Sequence, residues 1–224
     1  MSFKTYSVLW TVLFCFGLPS VAFGQYILKE TVKVKKDGQD QGVTYAVIYA
    51  EGLAGAAQWA PGVKMMRNGA TIRHQVSKGN EGNLSVNDRI PFRFIVAPTD
   101  VGSNDMTWAA VQGVGDGTND KADFSSTGLS GCGSYVNSSD KERKWRVPTQ
   151  RELQLMWLFR EPIGLITKNP MEGTVNSGDP KKYWASTESG SDAAWFFDFG
   201  LNNPLCGTQK KNLKTGMVRC VSDY

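Results

Sequence analysis

Histidine is almost absent from this chain: His74 is the only one among 224 residues. A Cys/His zinc site or a Cys–His nucleophile pair would have to be assembled around that one imidazole. Cysteine is scarce as well, at four residues with no Cys-x-x-Cys spacing. That removes the usual signature of zinc ribbons and dithiol redox centres. A basic stripe is also missing. Lys and Arg number 25 against 21 Asp and Glu, a net charge of +4. Two short clusters, Lys33, Lys35, Lys36 and Lys210, Lys211, Lys214, have acidic residues close by and read as solvated surface. A nucleic-acid-binding chain concentrates its positive charge, so no nucleic-acid partner is expected. Carboxylates are numerous, but no spacing singles out a pair of the glycosidase kind. Glu152 is explained as a helix cap and Glu188 as a turn residue. No catalytic residue, metal site or cofactor is expected, and the chain is read as not an enzyme.

Long apolar runs are confined to the first two dozen residues. Lys4 is a minimal positive start, residues 6–16 (YSVLWTVLFCF) are an apolar stretch, and Gly17, Leu18 and Pro19 break it. Ala22 and Gly24 place small residues before a cut at Gly24-Gln25, so residues 1–24 read as a signal peptide. An uncleaved anchor fits less well, because Pro19 keeps the run below the roughly 18 residues that span a bilayer. Phe14 stands before Cys15, where a lipoprotein signal carries a small residue. The expected product is secreted or held at the cell surface, with no stable membrane span after signal removal. An oxidising compartment then makes one disulfide plausible among Cys132, Cys206 and Cys220.

What is abundant points to strands and turns. Gly occurs 24 times, Trp 7, Tyr 7 and Phe 11. Residues 25–101 read as a β-rich N-terminal region. Val32 and Val34 alternate with Lys33 and Lys35. Val43, Tyr45, Val47 and Tyr49 share one strand face, with Thr44, Ala46 and Ile48 on the other. Ile90, Phe92, Phe94 and Val96 alternate in the same way. Asp37-Gly38, Pro61-Gly62 and Asn68-Gly69 are turn signals, the last also a hairpin signal, and residues 77–88 are a polar stretch.

Further along, residues 106–111 can form a short helix with Asp105 as N-cap. The loop 113–133 is rich in Gly, Asp, Ser and Thr. Its Asp116, Asn119, Asp120 and Asp123 could offer oxygens to calcium, but the order of an EF-hand is absent and a solvated loop explains them. Pro148 makes Val147 extended. Thr149 and Glu152 then form a capping box. The helix that follows is apolar nearly all round, which calls for burial, and Pro162 is expected to end it near Glu161. Trp157 reads as core. Residues 183–186, 194–199 and 217–221 read as strands, and 209–211 as loop. Short strands with one buried helix make an α+β fold.

The strings WRVPTQRELQLMW (145–157), YWASTE (183–188), W-x-x-D-F (195–199) and MVRCV (217–221) together resemble the Fibrobacter succinogenes major paralogous domain family. That family belongs to the C-type-lectin-like superfamily and is common in exported proteins of Bacteroidetes. The resemblance covers residues 102–224 and implies a C-type-lectin-like C-terminal domain preceded by the strand-rich segment. The family pattern has one cysteine before the W-R-[LV]-P-T run and another in the last strand, which Cys132 and Cys220 match. The resemblance thus implies a Cys132–Cys220 disulfide, closing a loop of about 90 residues and contributing on the order of 4 kcal/mol. Cys206 would then be free. Cys206–Cys220 is the competing pairing, and spacing does not decide between them.

Departures from the superfamily narrow the function. Neither Glu-Pro-Asn nor Gln-Pro-Asp is present, and Phe196 and Phe197 follow Trp195 where Asn and Asp would complete a calcium-dependent sugar site. The formylglycine-generating branch needs reactive cysteines or other redox machinery, and Cys206 is the only spare thiol here, so that activity is not carried over. The expected function is an exported, non-catalytic binding or adhesion module for an extracellular glycan or protein. By analogy the ligand surface is residues 192–211, with Trp195, Asp198, Asn202, Asn203 and Gln209 as candidate contacts. Trp195 and Phe197 have core packing as the simpler role, and an Asn-Pro corner is most often a turn. The alternative is a structural subunit of a cell-surface or fimbria-like assembly. Residues 43–49 and 25–34 would then pair with assembly partners by strand addition.

Overall fold

Strand alternation and turn chemistry build the first sheet. The computed structural model describes residues 24–36, 38–50, 93–116, 122–172, 181–189, 192–200 and 205–224. Strands β1 (Tyr26–Lys36) and β2 (Gln39–Tyr49) form an antiparallel hairpin, in register from Tyr26↔Tyr49 to Lys36↔Gln39. Gly38 lies in the connection between them. Gly38 adopts φ 79°, the left-handed geometry that a tight hairpin turn needs and that glycine supplies without strain. Strand β3 (Arg93–Val96) pairs with the other side of β2, and β11 (Val221–Asp223) pairs with β3. The order β1-β2-β3-β11 is antiparallel throughout.

The two faces of β2 separate as its alternation predicts. Val43, Tyr45, Val47 and Tyr49 enter one apolar cluster with Trp108, Trp145, Trp184 and Val218. Ala46 and Ile48 enter a second with Phe94, Leu153, Met156 and Phe199. A strand between two neighbours has both faces available for burial, and β2 uses both. These clusters join residues before 101 to residues after it in shared cores.

The second sheet has five strands in the order β4-β10-β7-β8-β9. They are β4 (Val101–Met106), β7 (Lys182–Glu188), β8 (Ala193–Asp198), β9 (Leu205–Lys210) and β10 (Gly216–Val218). Between them lie helix α1 (Trp108–Gln112), a ribbon of β5 (Val114–Asp116) and β6 (Ala122–Thr127), the single turn α2 (Gly131–Ser134), and helices α3 (Gln150–Leu158) and α4 (Arg160–Thr167). The fold is α+β. The Trp108 indole donates to the Ala185 carbonyl at 2.8 Å and that of Trp184 to the Met106 carbonyl at 3.0 Å. Burial of these two large rings therefore strands neither N–H donor.

The Thr149 capping box is complete: its hydroxyl accepts from the Glu152 amide, and the Glu152 carboxylate accepts from the Thr149 amide at 2.7 Å. Cys132 and Cys220 form the disulfide, 88 residues apart with Cα atoms 5.6 Å from each other, and Cys206 is free.

Several expectations are corrected. Thr107, not Asp105, caps α1, because Asp105 still belongs to β4 while the Thr107 hydroxyl accepts from the Ala110 amide at 3.2 Å. Pro162 does not end the helical region. The break is at Phe159, with φ −104° and ψ 18°, and Pro162 sits in the first turn of α4, where an amide proton has no intrahelical acceptor anyway. The capped helix α3 is not buried all round, since Leu158 is 62% exposed. Residues 209 and 210 belong to β9 rather than a loop. The terminal strand is two strands in two sheets, β10 and β11, with the buried Arg219 and Cys220 at the crossing. Residues 1–23 of the expected signal, Asp37, Pro61-Gly62, Asn68-Gly69, residues 77–88, Ile90, Phe92, Asn119, Asp120, Asn202 and Asn203 lie outside the described residues.

Candidate functional site

The expected surface, residues 192–211, is a hairpin. β8 and β9 pair from Ala193↔Lys210 to Asp198↔Leu205, and the Lys211 amide donates to the Asp192 carbonyl at 2.9 Å to close its base. Opposed residues share a face. Trp195↔Thr208 and Phe197↔Cys206 therefore lie on one side, and Ala194↔Gln209 and Phe196↔Gly207 on the other, with Asp198. Trp195 is half-buried against the second apolar cluster. The Asp198 carboxylate accepts from the Gly200 amide at 2.9 Å, and the Gln209 carbonyl oxygen accepts from the Thr215 hydroxyl at 2.6 Å. Trp195 is thus on the opposite face from Asp198 and Gln209, and these two are four residues apart along the hairpin, roughly 13 Å. The hairpin does not gather them into one contact point.

Carboxylates that sequence left to local roles belong to buried ion pairs. Lys211, expected as solvated surface, is 1% exposed, and its ammonium donates to Glu188, which is fully buried. The Lys211 ammonium also stands 4.6 Å from the centre of the Trp108 ring. Glu188 is consequently no turn residue but the buried end of β7. Glu152 has a second role beside its cap: Arg146 donates to both its oxygens, at 2.7 and 2.6 Å, and reaches Asp223 at 2.8 Å. Burial works against the Arg146 charge, but Glu152 and then Asp223 outweigh it and raise its pKa. Asp100 takes Arg219 at 2.5 Å and Lys181 at 2.7 Å. The remaining Arg219 donors go to the Ala97, Pro98 and Asn169 carbonyls. Each of these carboxylates is held by a cation in a structural role.

A different surface combines exposed aromatic rings with fixed polar groups. On the β1-β2-β3-β11 sheet, Tyr26 stacks on Tyr49, with ring centroids 4.7 Å apart and planes 7° from parallel. Glu30 accepts from Tyr49 through one carboxylate oxygen and from Tyr224 through the other, the latter at 2.5 Å. The Arg93 guanidinium lies 4.1 Å from the centre of the Tyr224 ring. Tyr26 and Tyr224 remain 37% and 43% exposed, so the rings are held in place yet accessible. No local motif announces this group. Its members come from β1, β2, β3 and the residue after β11, and of β1 only Val32 and Val34 alternating with lysines was legible in the sequence.

These phenols resist ionisation. Burial first, then the Glu30 bond, push Tyr49 up from 10.0 to about 12. The Glu30 bond raises Tyr224, and burial raises Tyr45 and Tyr183. A phenol with a folded pKa above its unfolded one stabilises the fold below the unfolded value and loses that contribution as pH climbs through the folded value. Thermal midpoint should therefore fall as pH rises from 10.0 towards about 12, the Tyr49 window. Tyr49→Phe should flatten part of that fall. A midpoint insensitive to alkali while tyrosinate absorbance grows would contradict the assignment.

No protein-family model matches the chain, and no curated protein does. Among the described residues, no group of three or more His, Cys, Asp or Glu is placed to hold a metal ion. Of the candidate calcium ligands, Asp116 and Asp123 lie on the paired strands β5 and β6. Among the described residues, no helix is long and apolar enough to cross a membrane.

Proposed function

We propose that the chain is an exported, non-catalytic binding or adhesion module, C-type-lectin-like in its C-terminal part, for an extracellular glycan or protein. The observation that carries the reading is the ordered, exposed tyrosine surface around Glu30. Flat aromatic faces suit the apolar face of a pyranose, and a neighbouring carboxylate and guanidinium suit its hydroxyls. Export is supported by the disulfide between buried cysteines, a bond that persists in oxidising compartments. Absence of catalysis is supported by the cations that occupy Asp100, Glu152 and Glu188. The lectin-like reading draws support from the family strings falling in one packed body, where Arg146 bridges Val221.

The test is binding of residues 25–224 to an immobilised glycan panel. Tyr26→Ala and Tyr224→Ala should each weaken capture about tenfold, the loss of roughly 1.4 kcal/mol, with little change in thermal midpoint. Capture that survives both but is lost in Trp195→Ala would transfer the site to the β8–β9 hairpin. A product found in the cytoplasm with all its thiols reduced would sink the export reading.

The alternative, a subunit of a surface assembly, is favoured by one observation: among the described residues β1 is an outermost strand. Of the two segments expected to add to a neighbour, 43–49 is enclosed between β1 and β3, so only β1 is placed to do so.

A further inference from the structure

We propose that the outer edge of β1, over residues 29–36, docks an acidic, extended segment of a partner protein as an added strand. The inference deepens the assembly reading by naming the partner's chemistry, and it stands whether or not the tyrosine surface binds a glycan. All eleven residues of β1 pair with β2 on one side, and among the described residues no strand lies on its other side. In an antiparallel ladder about half of such residues direct their N–H and C=O groups outward. An edge of this length is a template for another strand.

Side-chain charge decides which strand fits. Lys29, Lys33, Lys35 and Lys36 are all exposed, and the strand's one carboxylate, Glu30, is engaged by Tyr49 and Tyr224. A second copy of β1 would set lysines against lysines, and directly opposed like charges disfavour pairing. The same lysines that refuse self-association admit a strand bearing Asp or Glu. A shallow cavity of about 480 Å³ reaches β1, with Lys33, Val34 and Lys35 on its wall together with Arg143 and Lys144. Asp140, Glu142 and Asp223 also line it. Asp140 is taken by the Tyr45 hydroxyl at 2.9 Å and by Arg143 at 2.6 Å, and Asp223 by Arg146 at 2.8 Å. The balance left on the wall is Lys33, Lys35 and Lys144 against Glu142. Val34 is half-buried against the first apolar cluster and gives the opposite face of β1 an apolar position between those of the lysines. The matching occupant alternates acidic and apolar residues.

The probe is a synthetic peptide of alternating Val and Glu, titrated onto residues 25–224. Saturable binding should slow amide exchange in β1, weaken with salt, and fall at least tenfold in K33E/K35E. A Val/Lys peptide should bind K33E/K35E better than it binds the unmodified protein, which controls for a misfolded variant. Methylating alternate peptide nitrogens should abolish binding, because a strand addition needs those donors. Equal binding of the methylated peptide, or of the Val/Lys peptide to the unmodified protein, would overturn the proposal. So would heparin protecting the same amides in place of the peptide, which would mark a polyanionic-glycan site. Concentration-dependent protection of β1 with no peptide present would identify a second copy as the occupant and overturn it as well.

Discussion

Removing the Cys132–Cys220 bond should lower the unfolding free energy by about 4–5 kcal/mol. Closing a loop of 88 residues withdraws conformations from the unfolded chain, and chain-entropy reasoning sets that scale. Domains are stable by only about 5–15 kcal/mol, so the bond is a large share of the total. The double variant C132A/C220A leaves no new thiol and isolates this term. Its urea midpoint, followed by tryptophan fluorescence, should fall steeply. Both cysteines are buried, at 2% and 0% exposure, so reductant without denaturant should act slowly, limited by opening of the fold. A midpoint shift worth under about 1 kcal/mol would mean that the unfolded chain is already constrained in this region.

Breaking the Lys211–Glu188 pair from one side should cost about 3–5 kcal/mol, because the remaining charge stays buried with its main partner gone. The two side chains are 1% and 0% exposed, and Trp108, itself fully buried, stands against the ammonium. Glu188→Leu and Lys211→Met should each be severe. The double variant E188L/K211M should cost much less than their sum, since replacing both ions by apolar groups removes the desolvation penalty together with the attraction. Thermal unfolding of the four proteins in this cycle gives the coupling energy directly. Single variants that cost under about 1 kcal/mol would place the Lys211 ammonium in water. The bond that closes the base of the β8–β9 hairpin is donated by the Lys211 backbone amide, so Lys211→Met retains it and the cycle reports on the side-chain ion pair.

Both effects concern residues whose partners are remote in the chain, and this divides what was legible. Alternation on β2, a turn at Gly38 and the Thr149–Glu152 cap were readable because each depends on neighbours within four residues. Such features follow from strand period, glycine's backbone freedom and helix-end chemistry alone. Charge identity was readable, but charge environment was not. Lys210, Lys211 and Lys214 form one cluster in the sequence, yet Lys210 and Lys214 are exposed while Lys211 is buried. The difference lies in Glu188 and Trp108, which the tertiary fold brings to Lys211 from 23 and 103 residues away.

The sequence by itself determined the α+β class, the main alternating strand, the capped helix and the small set of cysteines available for pairing. Those properties arise from local periodicity and composition. Tertiary structure alone decided that the final segment divides between two sheets at Arg219 and Cys220, that Trp195 faces away from Asp198 and Gln209, and that Glu30 meets Tyr224 across 194 residues. A strand's alternation assigns side chains to two faces but does not say which neighbour each face will meet. That is set by sheet order and register, which depend on the packing of the whole chain.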